Sequence, residues 1–256
     1  MGQTCPMNTL TPLCNGRCAI AGNHLFHGGD PSERYDFALL VWLIEGPAGP
    51  CLVDAGLRHV DEMNEGAAHV LAEPITQRPE EDVRALLSAR GLAPEDIRTV
   101  VVTHLHFDHV DNLDLFTEAR IVVSERGFRE ATKNPGWAGS WAPGKTLEGL
   151  TGPWADRVTL TDNAEVLPGI GTVWLGGHSP CSQGVLVATE RGDGFLTGDV
   201  IFRWENLEQG RPIGVFDDLP ECEAALARIA EMDAAVLPGH DPRVLHRYPD
   251  GFGGGP

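Results

Sequence analysis

The stretch VVTHLHFDHVDN, residues 101–112, packs His104, His106, Asp108 and His109 into six positions at the end of a β-branched run. Val101, Val102 and Thr103 read as the end of a buried strand. In extended chain, residues two apart project to the same side, so His104 and His106 can bind one ion. Asp108 and His109 fall past the strand end, where the turning chain can aim them at a second ion beside the first. At this composition the pattern HxHxDH arises by chance about once in a thousand chains of this length. A scatter of surface or core histidines therefore explains it poorly, and a metal centre explains it well.

Imidazole and carboxylate are ligands that suit zinc, and also iron, manganese or cobalt. More such residues stand where other apolar runs end: His178 after GTVWLGG, Asp199 after GFLTG and His240 after AVLPG. Tips of neighbouring strands meet at one sheet edge, so these residues can converge on the first four. Five histidines and two aspartates, with Asp199 between the halves, suffice for two ions with positions left open for water. A glycine precedes each of His178, Asp199 and His240, which lets the backbone come close to the site. His24 and His27 sit in a candidate pocket loop, whereas His59, His69 and His246 read as surface residues.

Around these residues the chain alternates strand and helix patterns. FALLVWLIEG (37–46) and GPCLVDAG (49–56) form a hairpin-like strand pair. PEEDVRALLSARGL (79–92) is helical and stops at Gly91, and PECEAALARIAEM (220–232) is a second clear helix. The pattern predicts one α/β layered domain over residues 1–256. Two glycine- and tryptophan-rich stretches, 21–36 and 134–154, read as long irregular loops that carry the substrate site. Phe26, Tyr35, Trp137, Trp141, Phe202 and Trp204 are the candidate substrate contacts, and the chain from about 248 reads as a flexible tail.

Composition excludes several functions. The net charge of −18 leaves nothing basic to neutralise phosphates, so a nucleic-acid partner is not expected. No apolar run approaches the roughly 18 residues needed to span a bilayer, so neither is a membrane one. The N-terminal MGQTCPMNTLTPLCNGRC has no basic start, apolar run or cleavage site of a secretory signal, which predicts a cytoplasmic protein. The six cysteines are scattered and read as free thiols; Cys14 and Cys18 have no second pair to complete a tetrahedral site.

VDAG (53–56), THLHFDH (103–109), GGHSPCSQG (176–184), TGD (197–199) and PGHD (238–241) follow the order and approximate spacing of the metallo-β-lactamase superfamily, which the chain resembles. The resemblance implies an αββα sandwich. It also implies one ion on His104, His106 and His178, a second on Asp108, His109 and His240, and Asp199 as their bridge. Asp54 would orient a ligand histidine, as such ligands generally require. Within the superfamily the chain is most similar to the N-acyl homoserine lactone lactonases, through the early NGRC (15–18), VDAG, THLHFDHVDN and a late GHD. One position departs from that branch. Where those lactonases carry a tyrosine three residues after the bridging aspartate, this chain has Phe202, which cannot donate a hydrogen bond. Tyr35 is the candidate substitute.

The expected reaction is opening of a lactone, an acyl homoserine lactone or a related lactone or ester, by a hydroxide shared between two divalent ions, most readily Zn2+. Asp108 or Asp199 would pass a proton to the leaving alkoxide. The partner is a small-molecule substrate, and a homodimer is compatible with the reading. The alternatives are a thioester hydrolase of the hydroxyacylglutathione type, which calls for a basic patch, and a metal-binding module without catalysis.

Overall fold

The long strands form because their residues can be buried on both faces. In the apolar run 37–44, Ala38, Leu40, Trp42 and Ile44 point one way, while Val41 and Leu43 point the other. A continuous rather than alternating apolar pattern is what a sheet covered on both sides requires. The computed structural model describes residues 7–134 and 142–254.

Twelve described strands make two sheets. The first contains β1 (Thr9–Ala21), β2 (Arg34–Glu45), β3 (Cys51–Val53), β4 (Leu71–Thr76), β5 (Thr99–Val101), β6 (Arg120–Val123) and β7 (Val158–Leu160), in the order β4-β1-β2-β3-β5-β6-β7. The second contains β8 (Glu165–Leu167), β9 (Ile170–Trp174), β10 (Gln183–Val187), β11 (Gly194–Leu196) and β12 (Ala235–Leu237), in the order β12-β11-β10-β9-β8. Leu40, Trp42 and Ile44 of the first sheet pack against Val185, Val187, Leu196 and Leu237 of the second. The outer face of the first sheet, with Val41, Leu43 and Val100, packs on Val83 and Leu87 of the helix Val83–Ser88 and on Leu150. Phe195 and Val236 on the outer face of the second meet Ala225, Leu226 and Ile229 of the helix Leu219–Ala230. Helix, sheet, sheet and helix are thus stacked as the αββα sandwich that was expected.

The parallel pairs place the site. β3 and β5 run parallel, so VDAG and THLHFDH leave the first sheet at the same edge. β11 and β12 run parallel in the second sheet, bringing Asp199 and His240 out together.

Three expectations need correction. Residues 21–36 are not one long loop: a single helical turn, Gly22–Leu25, is followed by the start of β2 at Arg34. Residues 144–151 of the second expected loop form a helix, Gly144–Thr151. The chain from 248 does not hang free. Phe252 and Leu10 exchange both backbone hydrogen bonds, at 2.9 and 2.7 Å, and the Phe252 ring joins the core between the sheets. Burial of one aromatic ring outweighs the glycines that surround it. No helix among the described residues is long and apolar enough to cross a membrane.

Candidate metal centre

β5 ends at Val101 and the chain extends through His104 before turning at Phe107–Val110. That turn puts Asp108 and His109 beside, rather than beyond, the first two histidines. His178 follows β9, Asp199 follows β11 and His240 follows β12. All seven residues meet as two groups: His104, His106, His178 and Asp199 in one, Asp108, His109 and His240 in the other, with the donor atoms of each group within 4.8 Å of one another.

Asp199 faces both groups. Its Oδ2 lies 3.5 Å from His104 Nε2 and 3.4 Å from His178 Nε2, while its Oδ1 lies 3.3 Å from His109 Nε2 and 2.9 Å from His240 Nε2. Such an approach depends on glycine. A Cβ on Gly239 would sit 2.6 Å from the Gly198 carbonyl oxygen and 3.0 Å from Asp199 Oδ1, and Gly198 itself has φ +52°.

The far nitrogens of the rings are held from outside. His109 Nδ1 faces Asp54 Oδ2 at 2.7 Å, His178 Nδ1 faces the Val215 carbonyl at 2.7 Å, and His240 Nδ1 faces the Ala38 carbonyl at 3.0 Å. These contacts turn each Nε2 towards the centre, the arrangement that metal-binding imidazoles need. Asp54 is itself fixed, accepting from the Thr103 amide at 2.7 Å and the Thr103 hydroxyl at 2.8 Å. Phe37 stacks on His240, centroids 5.0 Å apart and planes 10° from parallel.

The electrostatics favour a bound cation. Burial, with neighbouring imidazoles, drives the pKa of His104 well below its ordinary value and that of His106 to about 3; burial lowers His178 too. These shifts favour the neutral form of each ring, the form that ligates a metal, and His178 Nε2 lies 2.9 Å from His106 Nδ1. Burial works against a charge on His109 and His240 as well, but the carboxylates of Asp108 and Asp199 outweigh it and raise both. Despite burial, the histidines around them hold Asp108 and Asp199 ionised below the usual carboxylate range. His104 Nε2, His109 Nε2 and Asp199 Oδ1 are buried without a hydrogen-bond partner. An unmet buried polar atom costs about 1–3 kcal/mol. His104 Nε2 belongs to one group, His109 Nε2 to the other, and Asp199 lies between them; unmet atoms of this imidazole and carboxylate set fit divalent ions.

A cavity of about 490 Å³ opens onto His106, Asp108, His178, Asp199 and His240. Its walls are apolar: Ile20, Phe37, Leu39, Val70, Leu71, Ile75, Phe107 and Phe202 among them. Of the substrate contacts expected from sequence, Phe202 lines this cavity, packed 5.7 Å from both His178 and His240. Phe26, Tyr35 and Trp204 do not. Phe26 is fully buried beneath Arg211, the Tyr35 hydroxyl is turned to Glu33 Oε2 at 2.9 Å, and Trp204 is anchored on the Val236 carbonyl at 2.9 Å. The Tyr35 hydroxyl therefore does not face this cavity. Trp137 and Trp141 lie outside the described residues. The wall from Glu62 to Ile75 was not expected. Its signal was Met63, Val70, Leu71 and Ile75 between polar residues, too irregular for either period.

The sequence profile of the Metallo-beta-lactamase superfamily matches residues 34–240. An N-acyl homoserine lactonase of a Bacillus species is 28% identical over 227 residues, 87% of this chain and 86% of that one. The N-acyl homoserine lactonase AiiB of Agrobacterium fabrum is 28% identical over 241 residues, 86% of this chain and 87% of its own. Among solved structures, a B. thuringiensis AiiA variant with N-decanoyl-L-homoserine at its active site superposes with a TM-score of 0.79 at 22% identity, over 96% of this chain and 99% of that one. The dizinc quorum-quenching lactonase AidC gives 0.67 at 15% identity, over 92% of this chain and 88% of its own. At these identities the structural likenesses carry the fold.

Proposed function

The chain belongs to the metallo-beta-lactamase superfamily, and from that premise we propose that it is a dinuclear metal-dependent hydrolase that opens the ring ester of a lactone. One observation carries the reading. A single carboxylate, Asp199, presents one oxygen to each of two ligand groups at the floor of an apolar cavity. His104, His106 and His178 would hold one divalent ion, and Asp108, His109 and His240 the other, with zinc favoured by this donor set. When bound, the pair supplies Lewis acidity to the ester carbonyl and brings the pKa of water from about 16 towards 7.

The residues of the chain do the rest. Asp54 and the Val215 and Ala38 carbonyls fix the rings, so no reorganisation is needed during reaction. Asp108, at the cavity wall and held ionised, is placed to take up a proton and return it to the alkoxide of the opened ring. Apolar walls exclude water and receive a hydrocarbon substituent. No lysine or arginine is among the described lining residues, which disfavours a substrate as anionic as a glutathione thioester. A cavity of this size at the ligand cluster likewise favours an enzyme over a module that only binds metal. In this reading the enzyme works in the cytoplasm, where a reducing environment suits its unpaired thiols Cys14, Cys18, Cys51, Cys181 and Cys222.

Two measurements test the proposal. Elemental analysis of the purified protein is expected to give close to two transition-metal ions per chain, with activity lost on chelation and regained with zinc. A panel of acyl homoserine lactones, alkyl lactones, thioesters and β-lactams is expected to show ring-ester opening as the fastest reaction. A single tightly closed metal site, or turnover of thioesters alone, would overturn it.

A further inference from the structure

The ligand motif contains one more acidic residue that the metal groups do not use. Asp111 follows the turn carrying Asp108 and His109, and its side chain is fully buried. Asp111 Oδ2 accepts from the Arg58 amide at 2.8 Å and the His59 amide at 2.6 Å. Asp111 Oδ1 accepts from Lys145 Nζ at 2.6 Å and lies 2.8 Å from His59 Nδ1. One carboxylate thus joins three segments: the metal-ligand turn, residues 58–59 and the start of the helix Gly144–Thr151.

Two of those segments lead directly into the cavity walls. His59 precedes the helix Val60–Gly66, whose Glu62, Met63 and Gly66 line the cavity; Lys145 follows Pro143 and Gly144, which line it from another side. The helix Val60–Gly66 buries no residue fully, so apolar packing alone fixes it poorly. Asn64 ties it to Ile75 through two hydrogen bonds, at 2.7 and 3.0 Å. Its N-terminal end is fixed through Asp111. Lys145 Nζ also lies 5.6 Å from the centre of the Phe107 ring, and Phe107 lines the cavity between two ligands.

We propose that Asp111 and Lys145 form a clamp that holds two walls of the cavity at a fixed separation, which makes Lys145 a positioning residue for substrate fit. The proposal rests on the lactone reading for its substrate, but not for its structural readout. The clamp touches no donor atom of the ligand groups, so it acts on binding rather than on the chemical step. A substrate long enough to touch both walls depends most on their separation.

The test compares the zinc-loaded wild-type enzyme with the variants Lys145→Met and Lys145→Arg. Methionine keeps the length of the side chain and removes its charge. The Asp111 carboxylate retains the two backbone amides, so the fold is expected to persist. For Lys145→Met, KM for N-decanoyl homoserine lactone is expected to rise about tenfold with kcat within about twofold, while KM for the N-butanoyl substrate changes little. Hydrogen exchange over residues 60–66 is expected to quicken, exchange over 99–101 to stay as it was, and zinc content to remain unchanged. Arginine is expected to restore most of the KM. Wild-type KM and wild-type exchange over 60–66 in Lys145→Met would overturn the clamp, as would loss of zinc with a fall in kcat. Failure of the wild-type enzyme to open any lactone would overturn the substrate reading instead, and the exchange result alone would then decide the clamp.

Discussion

Asp54 Oδ2 lies 2.7 Å from Nδ1 of His109, with both side chains buried. The contact fixes which nitrogen of His109 faces the centre, and Asp54 occupies an unusual backbone position to make it, at φ +65°. Asparagine tolerates that conformation, so Asp54→Asn tests the charge and not the fold. The expected result is a loss of affinity of about 10- to 100-fold for one of two bound ions, with the other retained. Competition against a graded series of chelators measures it. Affinities for both ions unchanged from the wild type would show that Asp54 does not orient a ligand.

Phe202 stands in the cavity wall, 5.2 Å from Phe37 and against His178 and His240. Phe202→Tyr adds a hydrogen-bond donor to the cavity wall beside the ligands. It is expected to raise kcat on acyl homoserine lactones by about tenfold, a fraction of what a fully placed oxyanion donor gives. Turnover of the two enzymes on the same acyl series is the measurement. An unchanged or lowered kcat would mean that the position has no part in stabilising the carbonyl oxygen.

Phe252 closes the molecule. Its ring is 8% exposed and stands 5.4 Å from the Tyr248 ring, inside the core between the sheets. Removing a buried phenylalanine costs about 3–5 kcal/mol. Phe252→Ala is expected to fall at the lower end, since the ring lies at the core's edge, and urea unfolding reads the change. A loss below about 0.5 kcal/mol, the size of an ordinary surface substitution, would show that the terminal segment contributes little.

The metal motif and the strand within 37–46 could be read from local sequence because each is set by adjacent residues. Ligand histidines need fixed spacing on one segment, and a central strand needs a continuous apolar run. β1 was not legible: Pro12, Asn15 and Gly16 are breakers by propensity, yet β1 pairs with β2 through a shift of register between Cys14 and Gly16. Tertiary pairing overrides propensity there. The substrate wall failed for a different reason. Aromatic residues in glycine-rich loops look like contacts, but Phe26 and Trp204 are satisfied by burial, a cation and a backbone carbonyl, none visible from neighbouring positions. Asp111, by contrast, was in the quoted motif, and only the fold shows what it holds.

The buried thiols are expected to weaken the fold at alkaline pH. Burial raises the thiols of Cys51 and Cys222 to about 12 and that of Cys181 to about 11; the acidic groups around Cys222 add to the effect. In the unfolded chain a thiol ionises near 8.5–9. Above that pH the unfolded state loses these protons while the folded state keeps them, so ionisation favours unfolding. Their contribution is therefore complete below about pH 9 and is lost as pH rises towards about 12. The metal-loaded protein is expected to lose unfolding free energy steadily between pH 9 and pH 11, and a Cys51→Ala, Cys222→Ala double variant is expected to show a shallower decline from a lower starting value. Iodoacetamide at pH 8 is expected to leave Cys51 and Cys181 unmodified until urea unfolds the chain. Rapid labelling of Cys51 in the native protein, or an identical pH slope in the double variant, would remove buried thiols as the cause.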